Sequence, residues 1–128
     1  PQIVDRALAL ANAVKLNENE AATLARLFGQ KDVTAWLFEQ RNVELVAITR
    51  GARGAMLSTE RERVEHPGFP LSSSNGDPVG AGDAFSAALS LELCRKSPLS
   101  VCLERANRYA AHVASRAGGM PSAADYKY

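Results

Sequence analysis

Apolar and polar positions divide the chain into five helical segments and four short strands. The predicted helices cover roughly residues 3–12, 17–29, 32–40, 80–95 and 97–117, and the predicted strands roughly residues 13–16, 43–49, 55–58 and 63–66. Helices alternate with strands in the first half of the chain, and long helices follow at the end. This order predicts a layered α/β sandwich.

Local signals mark the ends of several helices. Asn17 or Asn19 can cap the second helix, Asp32 the third, and Ser97 or Ser100 the last. Gly29 is expected to end the second helix, and the pair Gly118-Gly119 the last one. The first helix carries apolar residues at helical spacing, namely Ile3, Val4, Ala7, Leu8, Leu10 and Ala11. In the second and third helices the spacing predicts inward-facing stripes of Ala21, Leu24, Ala25, Leu27 and Phe28 and of Val33, Trp36 and Leu37.

The composition is ordinary for a globular chain of 128 residues, with 46% hydrophobic and 23% charged residues. A formal net charge of +1 gives no general attraction to nucleic acid or to an anionic membrane, and no apolar run is long enough to span one. We expect Cys94 and Cys102 to be buried free thiols in a reducing, cytoplasmic setting. The start at Pro1 and the small number of strands predict a piece of a longer protein.

The run Gly76-Asp77-Pro78-Val79-Gly80-Ala81-Gly82-Asp83 precedes an apolar helical stretch. Such a loop can direct backbone N–H groups and a helix N-terminus at a phosphate, with the Asp83 carboxylate beside it. This predicts phosphoryl transfer to a hydroxyl. Two plainer interpretations stay open at this point, namely an ordinary glycine turn and an acidic residue that stabilises a helix N-terminus.

Two other phosphate-binding motifs fit poorly. Phe85 stands where the dinucleotide fingerprint needs its third glycine, so a Rossmann-type oxidoreductase is disfavoured. A Walker A loop is excluded because the sequence contains no Gly-Lys-Ser or Gly-Lys-Thr.

Four segments together resemble the PfkB/ribokinase family of carbohydrate kinases. The loop that contains Asp83 resembles the C-terminal motif of that family, and residues 15–20 resemble its Asn-x-x-Glu segment. Residues 49–54 resemble its Thr-x-Gly turn, and residues 106–122 its last helix and loop. The resemblance implies the C-terminal, ATP-binding and catalytic portion of a ribokinase-like α/β sandwich. The family's N-terminal sugar-binding part and lid would be absent from this chain.

The resemblance also implies roles for single residues. Asp83 would be the general base, and the amides of Gly80, Ala81, Gly82 and Asp83 would form an anion hole. The other implied residues are Thr49, Gly51 and Gly54 for the nucleotide phosphates, Asn107 near adenine, Asn17 and Glu20 for Mg²⁺ through water, and Asp77, Val79, Val113, Gly118 and Ser122 for a monovalent cation such as K⁺. Helix capping by Asn17 and Glu20, loop capping by Asp77 and a solvated Asn107 are the structural alternatives.

The implied function is an ATP-dependent sugar kinase, with a slight preference for fructokinase-like members, whose partners are ATP and a small sugar; a homodimer is compatible with it. One departure is Pro78, which replaces the usual Thr or Ser and lacks an N–H group. The alternative is a non-catalytic nucleotide-binding or partner-binding module from a truncated or degenerate kinase.

Overall fold

A computed structural model describes residues 1–71, 76 and 78–116. The chain divides into two compact units. The first comprises Pro1–Gly51 and Ala55–Glu65, and the second comprises Ala52–Gly54 and the chain from His66 onward.

The first unit combines three helices with a sheet. In chain order its elements are α1 (Gln2–Leu10), β1 (Ala13–Asn17), α2 (Glu18–Phe28), α3 (Val33–Arg41), β2 (Leu45–Thr49), β3 (Ala55–Ser58) and β4 (Arg63–His66), whose last residue belongs to the second unit. The strand order is β1-β2-β3-β4. β1 and β2 are parallel, whereas β2 and β3 are antiparallel. The predicted α/β architecture is confirmed.

Three of the predicted helix-end signals lie where the sequence indicates. The Asn17 side chain accepts a hydrogen bond from the Glu20 N–H at the start of α2, and Asp32 accepts one from the Ala35 N–H at the start of α3. Gly29 ends α2 with a φ of 63°, a left-handed conformation that glycine adopts without steric cost. The capping rules therefore predicted these boundaries correctly.

One hydrophobic cluster of the first unit lies between its helices and its sheet. It contains the buried side chains Leu8, Leu24, Val33, Trp36, Leu37, Val43 and Val46. The Arg41 guanidinium lies 4.9 Å from the Trp36 ring centroid and forms an ion pair of 2.7 Å with Asp5. Since Asp5 is on α1 and Trp36 on α3, this cation ties two helices together.

The predicted inward-facing stripe was wrong at Leu27, and two apolar residues of the first helix are exposed as well. Ile3 is 85% exposed, Leu10 is 90% exposed, and Leu27 is 42% exposed. Of the residues of α1, only Leu8 is buried, because this short helix turns one narrow face toward the core. Helical spacing shows which apolar residues share a helix face, but it does not show whether another element covers that face.

The second unit, in the part that the structure describes, contains α4 (Ala81–Cys94) and α5 (Leu99–Ala114), two helices that pack against each other. Their buried residues include Phe85, Leu89, Leu103 and Val113. A short 3₁₀ turn, Gly51–Arg53, spans the boundary between the two units.

Two expectations for this unit were wrong. α5 begins at Leu99 after Pro98, not at Ser97 or Ser100, because the Pro98 carbonyl already accepts the N–H groups of Val101 and Cys102 at 3.0 Å. Cys102 is buried as expected, but Cys94 is exposed, since it lies on the outer side of the last turn of α4. The predicted stop at Gly118-Gly119 lies outside the described residues.

Candidate active site

In the first unit, two of the predicted site residues lie side by side. Asn17 is the last residue of β1 and Thr49 the last residue of β2, and they are register partners in the parallel pair. The carboxyl ends of parallel strands are the common place for ligand sites in α/β folds. The fold thus brings together two residues that are 32 positions apart in the sequence.

Asn17 and Glu20 form a capping box. The Asn17 Oδ1 accepts the Glu20 N–H at 2.8 Å, and the Glu20 Oε2 accepts the Asn17 N–H at 2.7 Å. Both side chains therefore stabilise the first turn of α2. Their oxygens are also the ligand type that Mg²⁺ prefers, and a water-mediated contact needs only one further lone pair on each.

Arg50 adds a positive charge beside Thr49, a feature that the sequence analysis did not single out. Its Nη2 lies 3.6 Å from the Met56 Sδ and 3.3 Å from the Glu65 Oε1. The hydrogen bond from Arg50, together with one from Arg63, lowers the pKa of Glu65. The position of Arg50 between Thr49 and Gly51 is the sequence signal that could have identified this residue.

The two glycines of the following turn differ in their surroundings. Gly51 has a φ of 58°, and a Cβ there would meet open space. Gly54 has a φ of 81°, and a Cβ there would lie 1.9 Å from the His66 carbonyl oxygen and 2.4 Å from the Gly68 nitrogen. Gly54 is therefore required by close backbone packing within the second unit, whereas Gly51 is required only by its conformation.

In the second unit, a tight turn precedes α4. The Ala81 N–H donates to the Pro78 carbonyl at 3.1 Å, and Gly80 has φ 82° and ψ −10°. These angles are typical of the third residue of a type II turn, which favours glycine. Val79, the second residue of the turn, has no positive φ, which agrees with this type.

This turn distinguishes the four amides predicted to form an anion hole. The Ala81 N–H is already engaged by Pro78. Gly82 and Asp83 are the second and third residues of α4, where an N–H has no carbonyl within the helix to bond. The Gly80 carbonyl accepts the Ala84 N–H at 2.9 Å and so closes the first helical turn. The helix N-terminus at Gly82 and Asp83 is the better anion-binding position.

Asp83 is exposed and lies in the first turn of α4. The next two residues, Ala84 and Phe85, are buried and anchor the helix in the second unit. The carboxylate is thus held by a fixed backbone while it remains accessible to a substrate. This is the arrangement that a general base needs.

The family model of "pfkB family carbohydrate kinase" matches residues 2–125. The chain belongs to this family. It is 35% identical over 86 residues to a fructokinase of Salmonella thompson, covering 67% of this chain and 38% of that protein. It is 33% identical over 119 residues to the bifunctional ribokinase/ribose-5-phosphate isomerase A of Fructilactobacillus sanfranciscensis, covering 89% of this chain and 21% of that protein.

Solved structures show the same fold. A putative ribokinase II of E. coli in complex with ATP and Mg²⁺ superposes with a TM-score of 0.80 at 25% identity, covering 93% of this chain and 38% of that one. Adenosine kinase of Schistosoma mansoni in complex with 2-fluoroadenosine gives 0.79 at 25% identity, covering 98% and 41%. The ribokinase-like fold is therefore confirmed, and the chain spans between about a fifth and two fifths of the length of these relatives.

In this pfkB-family chain, the backbone at Gly76 lies close to the end of α5. A Cβ at Gly76 would lie 2.2 Å from the Ala114 carbonyl oxygen, so Gly76 packs directly against the last turn of α5. Val113, one of the predicted monovalent-cation ligands, lies in that same turn, and its carbonyl accepts the Arg116 N–H at 3.1 Å. This role of Gly76 does not follow from the motif itself, and its one signal in the sequence is a glycine directly before Asp77.

The remaining predicted site residues divide into two groups. Asp77, Gly118 and Ser122 lie outside the described residues. Val79 is exposed, and Asn107 is only 6% exposed on α5, where its Nδ2 donates to the Leu103 carbonyl at 2.8 Å. Asn107 is thus a buried residue rather than a solvated one, and its contact with adenine stays a prediction.

Two absences hold for the described ranges 1–71, 76 and 78–116. No group of three or more His, Cys, Asp or Glu side chains could hold a metal ion there. None of the helices in that part of the chain is long and apolar enough to cross a membrane.

Proposed function

We propose that this chain carries the ATP-binding and catalytic part of a kinase that transfers the γ-phosphoryl group of ATP to a sugar hydroxyl. The observation that carries the proposal is the type II turn at Gly80, which opens α4 and presents the exposed Asp83 in its first turn. Family membership and the kinase relatives support the reaction class.

In the proposed reaction, an Asp83 carboxylate oxygen takes the proton of the sugar hydroxyl. The hydroxyl oxygen forms a bond to the γ-phosphorus, and the bond between that phosphorus and the β–γ bridging oxygen breaks. The electron pair leaves with ADP. The amides at the start of α4 stabilise negative charge on the transferring group, an effect worth about 3–4 kcal/mol for a single well-placed donor in other enzymes.

The nucleotide phosphates would also contact Thr49 and Gly51 at the end of β2, and adenine would lie near Asn107. Asn17 and Glu20 would hold Mg²⁺ through water, where the ion would neutralise phosphate charge. A monovalent cation would use Asp77, Val79, Val113, Gly118 and Ser122. The oxygen chemistry of both sets of ligands fits these ions.

A finer proposal concerns the acceptor. The fructokinase relatives favour fructose, whereas the ribokinase relative favours ribose. The similarity to the fructokinase is compatible with either sugar as acceptor, because it covers 67% of this chain but only 38% of that protein.

The test is γ-phosphoryl transfer by the full-length product of the native gene. The purified protein is given ATP labelled at the γ-phosphate, Mg²⁺ and, one at a time, fructose, ribose and a nucleoside. We expect labelled sugar phosphate with one of the two sugars and release of ADP in equal amount. Tight binding of ATP without transfer to any acceptor would instead support the non-catalytic nucleotide-binding module.

A further inference from the structure

Glu92 on α4 is a buried carboxylate that the proposed reaction does not use. Its side chain is 2% exposed. The Oε2 accepts the Ser97 hydroxyl at 2.6 Å, and the Oε1 accepts the Arg105 Nη1 at 2.7 Å and the Arg95 Nη1 at 3.1 Å. Both carboxylate oxygens therefore have partners, as a buried charge requires.

These bonds join three consecutive parts of the second unit. Glu92 is near the end of α4, Ser97 lies in the connection, and Arg105 is in the middle of α5. The Ser97 N–H also donates to the Glu92 carbonyl at 3.0 Å, and the Ser97 carbonyl accepts the Cys102 thiol at 3.4 Å. The connection is thus bonded to both helices that it joins.

The buried apolar side chains of the two helices alternate between small and large. Ala84 and Ala88 are buried on α4 beside Phe85 and Leu89, and Cys102 and Ala106 are buried on α5 beside Leu103 and Val113. Small side chains form shallow ridges, so they resist sliding of one helix along the other less than large ones do. Directional bonds to a buried charge can fix such a register, which is the best-attested structural use of buried polar groups.

We propose that Glu92 is a positioning residue, which fixes the axial position of α4 against α5 and thereby the place of the α4 N-terminus that carries Asp83. This inference rests on the proposed function for its effect on catalysis. Asp83 lies nine residues before Glu92, about 14 Å along the same helix. Because a helix moves as a rigid rod over this length, a shift at Glu92 is transmitted to Asp83.

The two arginines that contact Glu92 are half exposed, so the carboxylate can be removed without leaving a buried unpaired charge. The side chains of Arg95 and Arg105 are 50% and 48% exposed, so each can return its charge to water when the carboxylate is removed. Glu92→Gln therefore leaves no buried unpaired cation. Glu104→Gln is the matched control, because Glu104 pairs with Arg108 on α5 in an exposed ion pair of the ordinary i,i+4 type.

The first measurement is steady-state kinetics on the full-length native product. We expect Glu92→Gln to lower kcat about tenfold while the KM for ATP changes less than about twofold. A small misplacement of a catalytic group slows the chemical step strongly, whereas it changes the binding of ATP in the ground state little. Arg105→Leu should lower kcat similarly, and Arg105→Lys should restore part of it. Glu104→Gln should leave kcat unchanged.

The second measurement does not depend on activity. Amide resonances of Gly82, Asp83 and Ala84 should shift in Glu92→Gln and stay in place in Glu104→Gln. If they stay in place in both variants, the positioning role is overturned, whatever the kinetics. If they shift as expected but the wild-type protein transfers no phosphoryl group, the positioning role stands and the proposed function fails.

Discussion

At the end of β1, Asn17 and Glu20 already share two hydrogen bonds that start α2, whereas at the start of α4 Asp83 is exposed on a turn that other residues hold in place. In the first region the candidate side chains are also the structural ones. In the second region the structural work is done by Gly80, Ala81 and the buried Phe85. Substitutions of Asn17 or Glu20 should therefore change stability and function together, whereas substitution of Asp83 should change function alone.

The largest expected effect on stability concerns the two glycines that follow β2, Gly51 and Gly54. Gly54→Ala should lower the free energy of unfolding by at least about 3 kcal/mol, since a left-handed alanine costs about 1–2 kcal/mol and overpacking adds a further penalty of similar size. Gly51→Ala, the matched control, should cost only about 1–2 kcal/mol because a Cβ there meets open space. Chemical denaturation measures both. Equal losses would mean that the close approach to His66 is not present in solution.

Gly80→Ala is the corresponding change at the glycine turn. A φ of 82° is strained for alanine, so the turn should rearrange or cost about 1–2 kcal/mol of stability. We expect a fall in kcat of about 10²-fold, because the α4 amides and Asp83 are misplaced together. Kinetics and thermal unfolding of the same preparation check this. A stable variant with full kcat would show that the left-handed turn is not needed for transfer.

Asn17 can be compared with Asp32, which caps α3 in the same way. Asn17→Ala and Asp32→Ala should each cost about 1 kcal/mol of stability through the lost cap. Only Asn17→Ala should also raise the KM for ATP at limiting Mg²⁺, since only Asn17 is proposed to lie near the phosphates. If the two variants have the same KM, the capping box is the whole role of Asn17.

The sequence predicted the helices, strands and turns better than the burial of individual side chains. Caps at Asn17, Gly29 and Asp32 follow from local chemistry, and so do the glycine turn and the acid after it. Exposure of Leu10 and Leu27 and burial of Asn107 depend on which elements pack together, and spacing within one helix does not contain that information. The need for glycine at positions 54 and 76 comes from backbone segments distant in sequence.

A smaller effect concerns pH and the Glu92 cluster. Hydrogen bonds from Ser97 and Arg105 hold the pKa of Glu92 below its ordinary value of 4.5. The unfolded chain therefore takes up this proton first as pH falls, so the stabilisation is present above about pH 4.5 and is lost below it. Wild type should be more stable than Glu92→Gln at pH 7, and the difference should shrink as pH drops from 4.5. A stability difference between wild type and Glu92→Gln that stays constant below pH 4.5 would show that these hydrogen bonds do not stabilise the ionised Glu92 carboxylate.

The smallest effect is on thiol reactivity. Burial raises the pKa of Cys102, with a further contribution from the charge of Glu92, whereas Cys94 is exposed. An alkylating reagent at neutral pH should modify Cys94 in the folded protein and Cys102 only after unfolding. Mass spectrometry of the digested protein identifies the labelled residue. Early labelling of Cys102 would show that the packing of α4 on α5 opens readily.

The central claim is that Asp83 is the general base, and Asp83→Asn in the full-length native product tests it most directly. Phosphoryl transfer and ATP binding are measured on the same preparation, with Asp32→Asn as the control for a carboxylate at a helix start. We predict a fall in kcat of about 10²–10⁴-fold for Asp83→Asn, with ATP affinity and melting temperature close to those of wild type. Retention of wild-type kcat by Asp83→Asn would contradict the account.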